Sequence, residues 1–205
     1  MKQFYFLLFT FFALNLSFGQ VIITELADPN NDGNARFVEI YNVSSADVDL
    51  TDWELRRWTN GNTTPQSSGV DLTSIGTLAS GAFAVIANNA NFESVYGFAP
   101  DIIAGGGGAA DSNGDDQIAL YDAADNTIDF FGVIGEDGTN TCHEFEDGRA
   151  ERIASVTTGT STWNEAEWNV LFIIMVQQKQ QRLCVVLTTV VQLGQQRQHF
   201  VPLLC

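Results

Sequence analysis

The stretch VIITELADPNNDGNARFVEIYNVSSADVDLTDWEL, residues 21–55, decides the fold. It contains three segments in which apolar and polar residues alternate, and Asp, Asn, Gly and Ser residues separate them. In the first segment Ile22, Thr24 and Leu26 are alternate residues, which would lie on one face of a strand. Alternation with a period of two is typical of strands that bury one face, and the polar separators favour turns. The stretch therefore predicts β-strands joined by short turns, as in hairpins.

The pattern of short apolar segments and turns continues to about residue 170. Residues 89–97 predict one or two helical turns, with Phe92, Val95 and Tyr96 facing inward and Gly97 ending them. Because no long helix separates the strands, a parallel α/β fold is not expected, and roughly nine or ten short strands favour an all-β sandwich. The further strands are predicted at residues 70–72, 75–78, 83–86, 101–103, 117–122, 127–133, 152–156 and 168–170.

The opening motifs resemble those of the lamin tail domain family. ITEL at residues 23–26, FVEIYN at residues 37–42 and VDLTDW at residues 48–53 occur in the family's order. The resemblance extends through four later segments and covers about residues 21–170. It implies an immunoglobulin-like β-sandwich that has no catalytic role of its own. The later segments are TLASGAFAVIAN at 77–88, NGDDQIALYD at 113–122, DFFGVIGED at 129–137 and STWNEAEWNV at 161–170.

Residues 1–19 have the pattern of a secretory signal peptide. Lys2 precedes an apolar block at residues 4–16, and small residues close the segment before Gln20. An N-terminal membrane anchor is the alternative, but the block is shorter than the roughly 20 residues that a membrane span needs. The sequence therefore predicts cleavage after Gly19, a domain at residues 20–170, and a mature chain that is secreted or held at the cell surface without a membrane span.

Charge is distributed very unevenly. All 25 acidic residues lie between Glu25 and Glu167, where only five basic residues accompany them, so this region carries a formal charge of −20. Such a surface repels phosphate backbones, and direct nucleic-acid binding is not expected. The partner is predicted to be an unknown protein or a component of the cell surface.

The composition changes abruptly at residues 171–205. This segment has no acidic residue, contains eight of the chain's 12 glutamines and lacks sustained helical or strand periodicity. We hypothesise a frameshifted, non-native tail; a native hydrophobic C-terminal segment is the alternative. If the frame did shift, the intact gene could encode a secreted nuclease or phosphatase with this accessory domain, or a cell-surface adhesion protein. The neighbouring reading frames distinguish these possibilities.

The segment DPNNDGNARFVE fits the spacing of a calcium-binding loop. The pattern D-x-[DN]-x-[DN]-G-x5-E is met by Asp28, Asn30, Asp32, Gly33 and Glu39. Calcium needs six to eight oxygen ligands, and the glycine permits the sharp bend between them. The flanks, however, are strands rather than helices, which places Glu39 on a sheet face. An Asx-rich hairpin loop with a coincidental glutamate is the alternative.

A second acidic loop contains Asp111, Asn113 and Asp115 and leads into a predicted strand. It is a weaker candidate for Ca²⁺, and a solvated acidic turn explains it equally. No other cofactor is expected.

Catalytic residues are not predicted. His143 lies beside Cys142, and because neighbouring residues on a strand point to opposite faces, a Cys–His dyad is not expected. One histidine and one cysteine cannot supply the three or four ligands of a zinc site. The run at residues 105–108 lacks the lysine and the helix of a phosphate-binding loop.

Overall fold

The computed structural model describes residues 21–67 and 69–171. The predicted signal peptide and the tail from Phe172 onward lie outside the described residues. Twelve strands and one short helix, α1 (Phe92–Tyr96), form the described domain. The strands are β1 (Val21–Ala27), β2 (Phe37–Asn42), β3 (Val48–Asp49), β4 (Glu54–Trp58), β5 (Val70–Asp71), β6 (Thr77–Leu78), β7 (Phe83–Ala87), β8 (Ile102–Ile103), β9 (Gln117–Tyr121), β10 (Thr127–Phe131), β11 (Arg149–Arg152) and β12 (Trp168–Leu171).

Two sheets enclose the core. The larger has the order β12-β11-β1-β2-β7-β8, the smaller has the order β10-β9-β4-β5, and β3 pairs with β6. All strand pairs are antiparallel except β7 and β8, which are parallel. The predicted all-β, immunoglobulin-like β-sandwich is confirmed.

A β-bulge changes the inward face of β1. The register of β1 on β2 pairs Ile23 with Ile40 and Glu25 with Glu39, with an irregularity between these two pairs. A bulge inserts one residue and shifts the side-chain alternation. Consequently Ile23 and Leu26 both belong to the main core, although the sequence places them on opposite parities. The prediction that Ile22, Thr24 and Leu26 lie on one face of the strand is therefore wrong, because the bulge lies within this stretch.

Large apolar side chains from both sheets meet between them. Phe131 of β10 packs edge-on against Trp168 of β12, with ring centroids 4.8 Å apart, and against Phe145, 5.6 Å away. Leu50 and Leu55 are fully buried in the same cluster. Edge-to-face aromatic pairs add about 0.5–1.5 kcal/mol each beyond their area burial, so these contacts stabilise the packing between the sheets.

The short helix covers part of the outer face of the larger sheet. Phe92 and Tyr96 pack against Phe37 of β2, with ring centroids 5.6 and 5.4 Å away. Gly97 ends the helix in the left-handed conformation, as predicted. Val95, however, is 48% exposed, so its predicted inward orientation is wrong. One turn of helix presents only the residues at positions i and i+4 to the sheet.

Two predicted strand boundaries are also wrong. Residues 73–75 form a 3₁₀ turn before β6, and β11 ends at Arg152, where the sequence predicts that a strand begins. Over the part of the chain that is described, no helix is long and apolar enough to cross a bilayer.

Candidate functional site

The first predicted calcium loop is closed by an ion pair. The Asp28 side chain is fully buried, and its Oδ1 accepts a hydrogen bond from Arg36 Nε at 2.7 Å. Arg36 Nη1 also reaches Asp111 Oδ1 at 3.1 Å. Burial raises the pKa of Asp28, while the adjacent guanidinium acts in the opposite direction. Arg36 therefore joins the two predicted calcium loops, a connection that the spacing of acidic residues did not indicate.

The other residues of this loop lie in different surroundings. Asn30 adopts a left-handed conformation (φ 54°) in the turn after Asp28. Asp32 is at the surface, where its Oδ1 accepts hydrogen bonds from the backbone N–H and the side-chain amide of Asn34, both at 2.9 Å. Glu39 lies in β2, and Thr24 Oγ1 donates to its carboxylate at 2.7 Å. The predicted position of Glu39 on a sheet face is confirmed.

The second acidic loop is held by arginine and asparagine side chains. Asp111 Oδ2 accepts a hydrogen bond from the backbone N–H of Gly107 at 2.7 Å, and Asn60 Nδ2 donates to Asp115 Oδ2 at 3.1 Å. Asn113 is half-buried between them. The fully buried Asp116 faces Arg57 Nη1 at 3.3 Å. Burial raises the pKa of Asp116 to about 6, against the effect of Arg57.

Over the described ranges, no group of three or more His, Cys, Asp or Glu side chains is placed to hold a metal ion. Calcium binding by Asp28, Asn30, Asp32 and Glu39, or by Asp111, Asn113 and Asp115, stays a prediction.

The outer face of the larger sheet carries an unexpected row of carboxylates. The registers place Glu25 of β1 directly opposite Glu39 of β2 on one side and Glu151 of β11 on the other. Like charges directly opposite each other destabilise a sheet. We name these three residues the glutamate row. The sequence shows each glutamate, but only the register brings them together.

Arg149 compensates part of this charge. Its Nη2 lies 2.9 Å from Glu151 and its Nη1 lies 3.7 Å from Glu25, while about half of the arginine side chain is exposed. Burial is the largest influence on Glu25 and raises its pKa to about 7, although Arg149 lowers it. Glu151 and Glu39 raise the pKa of Glu25 further by repulsion. Glu25 thus combines the longer contact to Arg149 with repulsion from both of its neighbours in the glutamate row.

A cavity of about 360 Å³ opens beside Glu25. Its walls are contributed by β1, by the turn that follows β1, by α1, by the start of β11 and by the end of β12. The lining residues are Glu25, Ala27, Pro29, Tyr96, Asp147, Gly148, Arg149 and Leu171.

The chain matches a protein-family model. The model of the Lamin Tail Domain family matches residues 16–135, which is more than half of the chain. The chain belongs to the lamin tail domain family. Among curated proteins, none matches it. The match ends before β11 and β12, yet these strands complete the larger sheet of this lamin tail domain beside β1.

A buried ion pair joins the two sheets of the lamin tail domain. Arg152 of β11 donates to the carboxylate of Asp129 of β10 at 2.9–3.1 Å. The backbone N–H groups of Ile23, Phe130 and Thr160 donate to the same carboxylate. Burial raises the pKa of Asp129 to about 6, so the carboxylate is still ionised at neutral pH. This arrangement is structural, because every oxygen of Asp129 is already bonded.

His143 also has a structural position. Its side chain is fully buried, with Nδ1 3.0 Å from Thr141 Oγ1 and Nε2 3.4 Å from Gln117 Nε2. Because the amide nitrogen of Gln117 can only donate, Nε2 of His143 is the acceptor and the ring proton is assigned to Nδ1. Burial lowers the pKa of His143, despite opposing effects of Glu136 and Asp137. The neutral ring fixes the loop at residues 136–143 against β9.

Proposed function

We propose that this lamin tail domain is an exported, non-catalytic binding and scaffolding module. The match to the lamin tail family, together with the immunoglobulin-like sandwich, carries the proposal. A sandwich of this kind supplies a rigid scaffold, and its loops and sheet faces are available for contacts with other molecules. The polar side chains in the core are engaged in joining loops and sheets, as at Asp129 and His143.

The charge supports a partner of basic character. With 25 acidic residues in the domain region against five basic ones, the surface attracts cationic groups and repels polyanions. The glutamate row concentrates this charge on one sheet face. We therefore propose a protein or cell-surface partner that presents lysine or arginine side chains, and no direct contact with nucleic acid.

The proposed export depends on residues 1–19. A basic residue, an apolar block and a small-residue cleavage site occur there in the order that signal peptides require. Expression of the full chain in a bacterial host, followed by fractionation and N-terminal sequencing, tests this proposal. Export with Gln20 as the first residue is expected. A chain that keeps Met1 and stays in the cytoplasm contradicts it.

Calcium binding is a further part of the proposal. The oxygen-bearing residues from Asp28 to Glu39 have the required spacing, and Asp32 is accessible at the surface. Binding that uses Asp28 must compete with its 2.7 Å contact to Arg36. Calcium is therefore proposed to bind at Asp28, Asn30, Asp32 and Glu39 after a local rearrangement that releases Asp28 from Arg36.

The proposed absence of catalysis is tested with the full chain. The purified protein is incubated with p-nitrophenyl phosphate and bis-p-nitrophenyl phosphate, with and without Ca²⁺ or Mg²⁺. Release of p-nitrophenol at the rate of the buffer blank is expected. Turnover that follows the protein through purification and is lost when Asp32 or Asp116 is replaced by Ala contradicts the proposal.

A further inference from the structure

We propose that the cavity beside Glu25 receives a basic side chain, lysine or arginine, of a partner polypeptide. This inference deepens the proposed binding function and rests on it. It follows from the shape of the cavity, from the carboxylates around it, and from the ion pair that Arg149 already forms with Glu151.

The charge at the cavity is not balanced. Glu39 of the glutamate row accepts a hydrogen bond from Thr24, and Glu151 has a 2.9 Å contact with Arg149. Among the described residues, the cation paired with Glu25 is Arg149, whose Nη1 lies 3.7 Å away. Asp147 adds another carboxylate to the lining. A second cation placed near Glu25 therefore has a four-fifths buried carboxylate to pair with, whose contact to Arg149 is long.

The shape favours an organic cation over a metal ion. Calcium needs six to eight converging oxygens, and over the described residues no cluster of three metal-ligating side chains exists. The walls instead include Ala27, Pro29, Leu171 and the ring of Tyr96. Lysine and arginine side chains have an apolar stem that packs on such walls and a charged head that needs a carboxylate.

The Tyr96 ring is fixed in place. Its hydroxyl donates to the Ala35 carbonyl at 3.0 Å, and the ring packs against Phe37 and Phe92. A ring held in this way offers a fixed apolar wall for the stem of a lysine or arginine side chain. The charged groups around the site are thus Glu25, Glu39, Glu151, Asp147 and Arg149, with Tyr96 as the titratable phenol.

The experiment measures binding of three short peptides to the full chain by nuclear magnetic resonance. The probes are acetyl-Gly-Lys-Gly-amide, its arginine analogue and a norleucine analogue that keeps the apolar stem without the charge. We expect saturable shifts of the Gly148 and Arg149 amides with a Kd in the millimolar range for the charged peptides. The norleucine peptide is expected to bind at least about tenfold more weakly, because one charge-assisted contact is lost.

Three variants distinguish binding at this cavity from a general attraction between the acidic domain and the cationic peptides. Glu25→Gln should weaken binding of the charged peptides by about tenfold. Glu165→Gln removes the same charge at an exposed position and should leave the Kd within about twofold, a difference expected from long-range screening. Arg149→Ala removes the competing cation and should strengthen binding by a few-fold.

Each result decides the proposal. Equal affinity for the norleucine peptide, no shift at Gly148 up to about 10 mM peptide, or an equal effect of Glu25→Gln and Glu165→Gln overturns it. These results leave the module free to bind through another surface, so they do not refute the binding function itself. Enzymatic turnover refutes that function, and it does so without reference to the cavity.

Discussion

Arg152 donates three hydrogen bonds of 2.9–3.1 Å to the carboxylate of Asp129, and this contact joins the two sheets of the sandwich. The contact lies beside a part of β1 that does not pair with β11. The register of β1 and β11 covers only Glu25 to Ala27, and the N–H of Ile23 donates to Asp129 at 2.8 Å. The Arg152 guanidinium also stacks over Trp168, 4.5 Å from its ring centroid.

Removing one member of this ion pair should destabilise the fold strongly. Asp129→Ala leaves the buried Arg152 guanidinium with only its 3.4 Å ion pair to Glu167 among the described carboxylates, and breaking a buried pair typically lowers the free energy of unfolding by about 3–5 kcal/mol. Urea denaturation followed by circular dichroism measures the loss. The double variant Asp129→Leu with Arg152→Met should recover part of it, since neither charge remains. A single variant with unchanged stability contradicts the structural role of the pair.

Glu25 should make stability depend on pH. Its pKa is raised from 4.5 to about 7 in the folded domain, so the folded state binds a proton more tightly than the unfolded chain does. The contribution of Glu25 is therefore fully present below about pH 4.5 and is lost as the pH rises through 7. Above pH 7, Glu25→Gln should stabilise the domain by about 1–2 kcal/mol, allowing for screening of a partly exposed group.

The control for this measurement is Glu165→Gln, which removes an exposed carboxylate outside the glutamate row. Thermal melts at pH 5 and pH 8 should show a gain for Glu25→Gln that is larger at pH 8. An equal gain at both values contradicts the assigned pKa shift.

Calcium should raise the melting temperature if the surface carboxylate of Asp32 takes part in binding. A one-site ligand at about 100 times its Kd stabilises the folded state by about 2.7 kcal/mol. The measurement is a thermal melt with millimolar CaCl₂, with MgCl₂ as the matched salt. Asp32→Ala should abolish the calcium effect, whereas Asp125→Ala, at another acidic turn, should preserve it. The same rise with MgCl₂, or in the Asp32 variant, excludes a specific site there.

Gly114 should tolerate no side chain, because two loops meet at it. A Cβ there would lie 2.2 Å from the backbone nitrogen of Glu146, and its φ is +101°. Gly97 also has a positive φ, of +81°, but no atom lies within 4 Å of its Cβ position. Gly97→Ala should therefore show only the conformational penalty, about 1 kcal/mol. Gly114→Ala should lose clearly more in urea denaturation; equal losses would show that the loops do not approach this closely.

Much of the fold could be predicted from the sequence because hydrophobic alternation and turn residues are local signals. The hairpin of β9 and β10 and the end of α1 at Gly97 were found in this way. The bulge in β1 was not, because the three consecutive apolar residues at 21–23 fit either alternation and do not mark where it shifts. The strand at Arg149–Arg152 was misplaced because its charged residues hide the alternation, although Ala150 is fully buried.

The candidate site could be predicted less well than the fold, because it depends on contacts between residues that are distant in sequence. Glu25 and Glu151 are distant in sequence and meet only because β11 returns beside β1. Arg36 joins two loops that the sequence presents as separate acidic motifs. Spacing identifies oxygen-bearing residues, but only the register and the positions of the arginines show which carboxylates are already paired.

The central claim is a two-sheet sandwich in which β1 lies between β2 and β11 and presents the glutamate row on its outer face. Nuclear Overhauser measurements on the full chain test it most directly. We expect cross-strand contacts from the backbone protons of Glu25 and its neighbours to strand β2 around Glu39 and to strand β11 around Glu151. Helical chemical shifts at residues 21–42, or contacts from Glu25 to only one of these strands, would contradict the account.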